Sequence, residues 1–346
     1  MADHSAIEWT DASWNPLRGC SRVSTGCQHC YAERVAARFS GPGQPYHGLI
    51  HPGTGAWNGA VRLVTEALGQ PLRWTKPRLI FVNSMSDVFH ESVPFEQIAA
   101  IFGVMAAAPQ HTFQVLTKRP ARALAFFQWR EAQIRKRELE WEPWRICEEE
   151  ATELVKNLPA IGCQSAWPLA NLWLGVSVEN QASADERIPL LLQCPASVRW
   201  LSCEPLLGPI DLRFHIFSEP TGSTRTHGGK RQMELRRPAD GGLHWVVAGG
   251  ESGTGARPMH PDWARSLRDQ CAAADVPFLF KQWGEWAPND SRADRMFIYH
   301  DGSTDIPDDR WPEPENNGET HIARVGKKAA GRILDGSEHN AYPETR

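Results

Sequence analysis

The sequence has no run approaching the ~18 consecutive apolar residues that a membrane span requires. Its first residues, MADHSAIEWTD, are acidic and mixed and carry no apolar core of signal-peptide length. A cytoplasmic protein with no membrane partner is expected. Strong charge of either sign is also missing, since 346 residues carry a formal net charge of −4. That argues against a uniformly basic nucleic-acid binder, although a local basic groove can exist on an acidic protein. Eight cysteines in a chain this long are too sparse for a disulfide scaffold, so reduced thiols, some of them metal ligands, are expected. Composition does not suggest disorder throughout: 41% hydrophobic and 23% charged residues leave material for a substantial core. Fifteen tryptophans are many; most are expected in packing, with a few available as platforms for a planar substrate.

What is present is a series of short apolar, β-branched runs separated by helical sequence. The runs are Leu79-Ile80-Phe81-Val82, Thr112-Phe113-Gln114-Val115-Leu116, Leu172-Trp173-Leu174-Gly175-Val176, Val198-Arg199-Trp200-Leu201, His244-Trp245-Val246-Val247-Ala248 and Pro277-Phe278-Leu279-Phe280. A first strand is expected near Ile7 to Trp14. Helical stretches span 95–108, 121–157 with interruptions, 182–193 and 262–274. Continuously apolar strands need helices to cover them, so the pattern predicts an α/β fold, a partial (β/α) barrel of about six or seven mostly parallel strands. The barrel is expected over 1–286. Two segments stand outside it: a mobile insertion at about 219–242, rich in Gly, Pro and charge, and an irregular C-terminal extension over 287–346. The insertion's arginines suit an anionic partner.

Cys20, Cys27 and Cys30 form the spacing C-x6-C-x2-C just before a helix start. Three thiolates on one loop can hold three irons of a [4Fe–4S] cubane and leave the fourth iron open to substrate chemistry. A structural zinc site is the alternative. It normally takes four protein ligands, and because His29 adjoins Cys30 awkwardly, His47 or His51 would have to complete it.

At these residues the chain resembles a phage and bacterial family that carries a three-cysteine motif and is similar to radical S-adenosylmethionine enzymes. The matching stretches run in order along nearly the whole chain: IEWTDASWNP, GC with STGCQHCYAE, LTKRP at 116–120, GVSVEN at 175–180, SCEPLLG at 202–208, VAGGESG at 247–253, FKQWG at 280–284 and RVGKKAAGRILDG at 324–336. The resemblance implies a partial barrel with S-adenosylmethionine over the cluster, reductive cleavage to a 5′-deoxyadenosyl radical, and an electron donor such as a flavodoxin or ferredoxin. The first cysteine gap is three residues longer than the commonest radical-SAM spacing, C-x3-C-x2-C.

Functional groups of a β/α barrel collect at the C-terminal ends of its strands. Ser84, Ser86 and Asp87 follow one strand and suit the methionyl ammonium; an N-capping cluster is the other meaning. Lys118, beside Arg119, suits a carboxylate or an anionic substrate. Ser177 and Asn180 match a ribose diol or, equally, a helix cap. Cys203 is a candidate hydrogen-atom donor and Glu204 a candidate substrate-orienting carboxylate, with inert packing the commoner fate of a buried thiol. Gly249-Gly250-Glu251 resembles in letters a radical-SAM signature but follows too late a strand, so Gly249 and Gly250 are expected in a turn whose backbone approaches cofactor or substrate. Cys147, Cys163, Cys194 and Cys271 are scattered and expected to be structural.

Three functions follow: a radical S-adenosylmethionine enzyme, a zinc-stabilised non-catalytic binding module, or a cluster-bearing scaffold without catalysis. Strand-end residues similar to those of DNA photoproduct lyases make nucleic acid repair or modification the first substrate expectation for the enzyme.

Overall fold

Leu172–Ser177 and Trp245–Gly249 are buried at every position. Strands apolar on both faces belong inside a mostly parallel sheet covered by helices, and that is where the chain puts them. The computed structural model describes residues 5, 7–140, 142–159, 167–213, 218–227, 230–236, 242–288, 295–305 and 320–344. Seven strands form one sheet in chain order: β1 (Ala12–Trp14), β2 (Leu79–Val82), β3 (Thr112–Thr117), β4 (Leu172–Ser177), β5 (Val198–Cys203), β6 (Trp245–Gly249) and β7 (Phe278–Gln282). The neighbours β1 and β2, β2 and β3, β3 and β4, β5 and β6, and β6 and β7 pair in parallel. Parallel neighbours need a crossover, and helices supply it: α1 (Tyr31–Arg38), α2 (Phe95–Ala106), α3 (Pro120–Lys136), α4 (Arg145–Leu154), α5 (Gln181–Leu192) and α6 (Pro261–Ala273). Sequential parallel strands with intervening helices are the topology of a partial β/α barrel.

The chain divides into two compact units, Met1–Val176 with Gln193–Val198, and Ser177–Leu192 with Arg199–Arg346. In the first, Phe89, Phe102, Phe126 and Phe127 pack ring against ring with centroids 5.1–6.5 Å apart. Burial of such side chains contributes roughly 1.5–3 kcal/mol each. Gly103 lets α2 approach α4: a Cβ there would stand 2.1 Å from the Cys147 carbonyl oxygen. Trp14 lies fully buried, its indole donating to the Ala67 carbonyl at 2.8 Å.

In the second unit the segment expected as a loop forms strands instead: Ser218–His227 pairs antiparallel with Lys230–Arg236. Its Gly and Pro content hides this because those residues read as turn signals in sequence. Residues 228–229 and 237–241 of the expected insertion lie outside the described residues.

The C-terminal extension is also more regular than expected. Trp286–Pro288, Thr320–Arg324, Arg295–Ile298 and Thr304–Asp305 form an antiparallel sheet in that spatial order. The last residues cover the edge of β7: Phe280 N–H donates to the His339 carbonyl at 2.9 Å, and Ala341 N–H to the Phe278 carbonyl at 3.2 Å. Capping an edge strand in this way satisfies backbone groups that would otherwise face solvent or another chain. Tryptophans tie this unit together through their indole N–H groups, which donate to backbone carbonyls: Trp245 to Ala341, Trp263 to His300, Trp283 to Ile333 and Trp286 to Ala256, all at 2.7–2.9 Å. The high tryptophan count therefore has a structural use at these positions.

Candidate functional site

The cysteine segment leaves the end of the short strand Leu17–Arg18 at Gly19, which sits at φ +95° where a Cβ would meet the Ala60 carbonyl oxygen at 2.1 Å. Only glycine fits this approach. Cys20 follows directly, Cys27 ends a single 3-10 turn (Thr25–Cys27), and Cys30 is the N-cap residue of α1. None of the three is in a disulfide, and each is partly exposed. Cys20 and Cys30 also lean on an apolar wall of Ala32, Ala36, Leu49, Trp57 and Met85.

Burial pushes the Cys20 thiol up to about 12, with Asp87 adding to the rise and Arg119 opposing it. Burial likewise raises Cys30. Both are thus neutral thiols near pH 7, and a metal bound there would have to displace their protons.

Two arginines hold the loop. Arg22 donates to both oxygens of Glu33 on α1 at 2.6–3.1 Å, and Glu33 Oε1 also accepts the Trp57 N–H at 3.2 Å. Arg119 reaches in from the end of β3. Its Nη2 donates to Ser21 O at 3.0 Å and Ser21 Oγ at 2.8 Å, its Nη1 lies 3.1 Å from Asp87 Oδ2 and 3.8 Å from Cys20 Sγ, and its Nε donates to both oxygens of Glu91. Although burial works against its charge, the carboxylates of Asp87 and Glu91 raise the Arg119 pKa and keep it a cation. His90 Nδ1 accepts the Ser92 N–H at 3.1 Å, so in the neutral ring the proton sits on Nε2, 2.9 Å from Ser21 Oγ. Burial, then Arg119, lowers His90 and favours that neutral form.

The residues expected to meet the cofactor after β2 brace this same loop. Ser86 Oγ donates to the Gly19 carbonyl at 2.6 Å, and Ser84 Oγ to Asn15 Oδ1 at 3.1 Å. Asp87 caps the Phe89 N–H at 2.9 Å and accepts the Thr117 hydroxyl and the Lys118 N–H. Lys118 is half-buried, and its neighbour Arg119, 6% exposed, is bound to the cysteine loop. Ser21, His90 and Glu91 carried no separable signal, being polar residues in loops.

In the second unit, Asn180 caps α5: its Oδ1 accepts the Ser183 N–H at 3.1 Å. Ser177 gives its backbone carbonyl to Arg187, which also pairs with buried Glu179 at 2.9 Å. Cys203 is fully buried, and burial, followed by Cys271 and Glu179, raises its thiol well above the ordinary range. Cys147, Cys194 and Cys271 are buried as expected, and Cys163 lies outside the described residues.

Glu204 is paired with Lys281 at 2.8 Å and accepts Gln282 Nε2 at 3.3 Å. A Cβ on Gly249 would stand 3.1 Å from Glu204 Oε1, and one on Gly250 would stand 1.9 Å from the Trp283 carbonyl oxygen. Gly249 thus ends β6 rather than lying in a turn, and both glycines allow a close approach within the chain itself, to Glu204 and to the backbone after β7.

Among the described residues no three His, Cys, Asp or Glu side chains gather as ligands of one metal ion. His47 and His51 are exposed. The finding concerns a single ion, whose ligands all stand about 2.0–2.3 Å from one point. A cubane takes each thiolate on a different iron and asks for wider spacing. The donor set present, three thiols on one loop, two of them against an apolar wall, with a buried cation beside Cys20, has the chemistry an anionic iron–sulfur cluster would take.

Fold and site together define a partial β/α barrel with a three-thiol loop at the end of its first strands. Residues 4–343 match the family model described as "Protein of unknown function (DUF5131)", and the chain belongs to that family. No curated protein and no solved structure matches the chain.

Proposed function

We propose that this protein is a radical S-adenosylmethionine enzyme in which Cys20, Cys27 and Cys30 ligate a [4Fe–4S] cluster. The observation that carries the reading is the loop itself: three free thiols within eleven residues, two of them against an apolar wall, tied at Ser21 by a buried arginine. When bound, such a cluster supplies one electron to S-adenosylmethionine, giving methionine and a 5′-deoxyadenosyl radical that abstracts hydrogen from substrate. The chain's own residues do the positioning: Gly19, Ser86 and Arg119 fix the Cys20 backbone, Arg22 ties the loop to α1, and the apolar wall backs Cys20 and Cys30. Glu204 with Lys281 is the proposed substrate-orienting pair.

The substrate class we propose is nucleic acid. The paired strands Ser218–His227 and Lys230–Arg236 of the second unit carry Arg225, Lys230, Arg231 and Arg236 against Glu219 and Glu234, a locally basic segment on a chain whose net charge is −4. A cytoplasmic setting with a flavodoxin or ferredoxin as electron donor completes the reading. Among the described residues no helix is long and apolar enough to cross a membrane.

The test is anaerobic reconstitution followed by dithionite reduction with S-adenosylmethionine. The expected result is 5′-deoxyadenosine from the wild type and none from C20A/C27A/C30A. Tightly bound zinc with no cofactor cleavage would instead leave the binding-module reading.

A further inference from the structure

We propose that Arg119 is a positioning residue that sets the reduction potential of the cluster held by Cys20, Cys27 and Cys30; the inference rests on the cluster reading above. Its guanidinium Nη1 stands 3.8 Å from Cys20 Sγ. At 6% exposure it is poorly screened by water. Reducing a cluster adds negative charge, so a fixed cation at a ligating sulfur favours the reduced state and raises the potential.

The surroundings make this adjustable. Arg119 has two carboxylate partners of different character: Asp87 is buried, while the Glu91 side chain is 63% exposed. Glu91 offsets part of the guanidinium charge from the solvent side, and Asp87 offsets it from within. The planar fork matters as much as the charge. One group satisfies Glu91 through Nε, Asp87 through Nη1 and both oxygens of Ser21 through Nη2. A lysine presents a point charge and cannot span those directions at once.

Removing the cation and removing its exposed counter-charge should therefore move the potential in opposite directions. A residue that only braced the loop would give shifts of one sign, or none.

The experiment is a redox titration of the full chain, reconstituted anaerobically and followed by electron paramagnetic resonance, with R119M, R119K and E91Q beside the wild type. At a fixed applied potential R119M should lower the ratio of reduced to oxidised cluster about tenfold, equivalent to about 59 mV for one electron. E91Q should raise that ratio, and R119K should fall between R119M and wild type. Iron and sulfide in the wild type are measured first. A wild type that assembles no cluster overturns the cluster reading and this inference with it. A wild type that assembles one, with R119M and E91Q unmoved or moved the same way, overturns the inference alone. Should R119M fail to load, E91Q decides: a raised ratio supports the role and an unchanged ratio overturns it.

Discussion

Lys281 Nζ stands 2.8 Å from Glu204 Oε1 and 2.9 Å from Oε2, so one ammonium bridges both oxygens of a carboxylate 77 residues earlier in the chain. Both side chains are under one-fifth exposed. Substituting K281M leaves a largely buried carboxylate without its cation and should cost roughly 1–3 kcal/mol. The double variant E204Q/K281M should recover much of that loss, because no charge is stranded. Urea unfolding of the two variants checks this; equal destabilisation by both would sink the pairing as described.

Trp245 should hold the C-terminal segment on the sheet. Its indole donates to the Ala341 carbonyl at 2.9 Å and stacks on Tyr342 with ring centroids 5.4 Å apart. W245F removes the donor while keeping a ring, so a loss of about 1 kcal/mol is expected. Amide exchange should rise across 338–342 before it rises in β6. Uniform exchange changes along the chain would contradict a local anchor.

Gly103 should be intolerant of even one methyl group. The Cys147 carbonyl oxygen lies 2.1 Å from the position of its Cβ and the Ala151 Cβ lies 2.6 Å from it, so G103A must push α4 away from α2. Overpacking of this kind costs about 1–3 kcal/mol, which outweighs the helix propensity gained over glycine, about 1 kcal/mol. A stabilised G103A in thermal unfolding would show that the two helices are not in this contact.

Asp335 supplies a pH-dependent tie. Hydrogen bonds from Arg265 and Arg268 hold its carboxyl down at about 2, below the ordinary 3.8. A carboxylate depressed in the folded state contributes stability above its unfolded value and loses it as the pH falls through the folded one. The contribution is thus present above about pH 4 and fades toward pH 2. D335N should lower the melting temperature at pH 7, and its difference from wild type should shrink below pH 4. A difference independent of pH would contradict this linkage. The side chain is about one-third exposed, so solvent screening keeps the effect small.

The alternation of strands and helices was legible because continuously buried strands such as Leu172–Ser177 leave an unbroken apolar signature. The ribbon from Ser218 to Arg236 and the sheet built on Thr320–Arg324 were not, since short polar strands are set by partners rather than by their own periodicity. At the site, the cysteine spacing pointed to three thiols on one loop, while the bracing around them was hidden. Asp87 could be read as a ligand-binding carboxylate or a cap, and only the fold brings Thr117 and Arg119 onto it. The adjacent cations Lys118 and Arg119 show the same limit: they look alike in sequence, and only the fold brings Arg119 onto Ser21, Asp87 and Glu91.

The most direct test of the account is the iron and acid-labile sulfide content of the chain after anaerobic reconstitution, compared with C20A/C27A/C30A. The expected result is about four irons and four sulfides per wild-type chain, as a [4Fe–4S] cluster requires, and neither in the triple variant. One zinc per chain without sulfide, or iron retained equally by the variant, would contradict the assignment of these three thiols as cluster ligands.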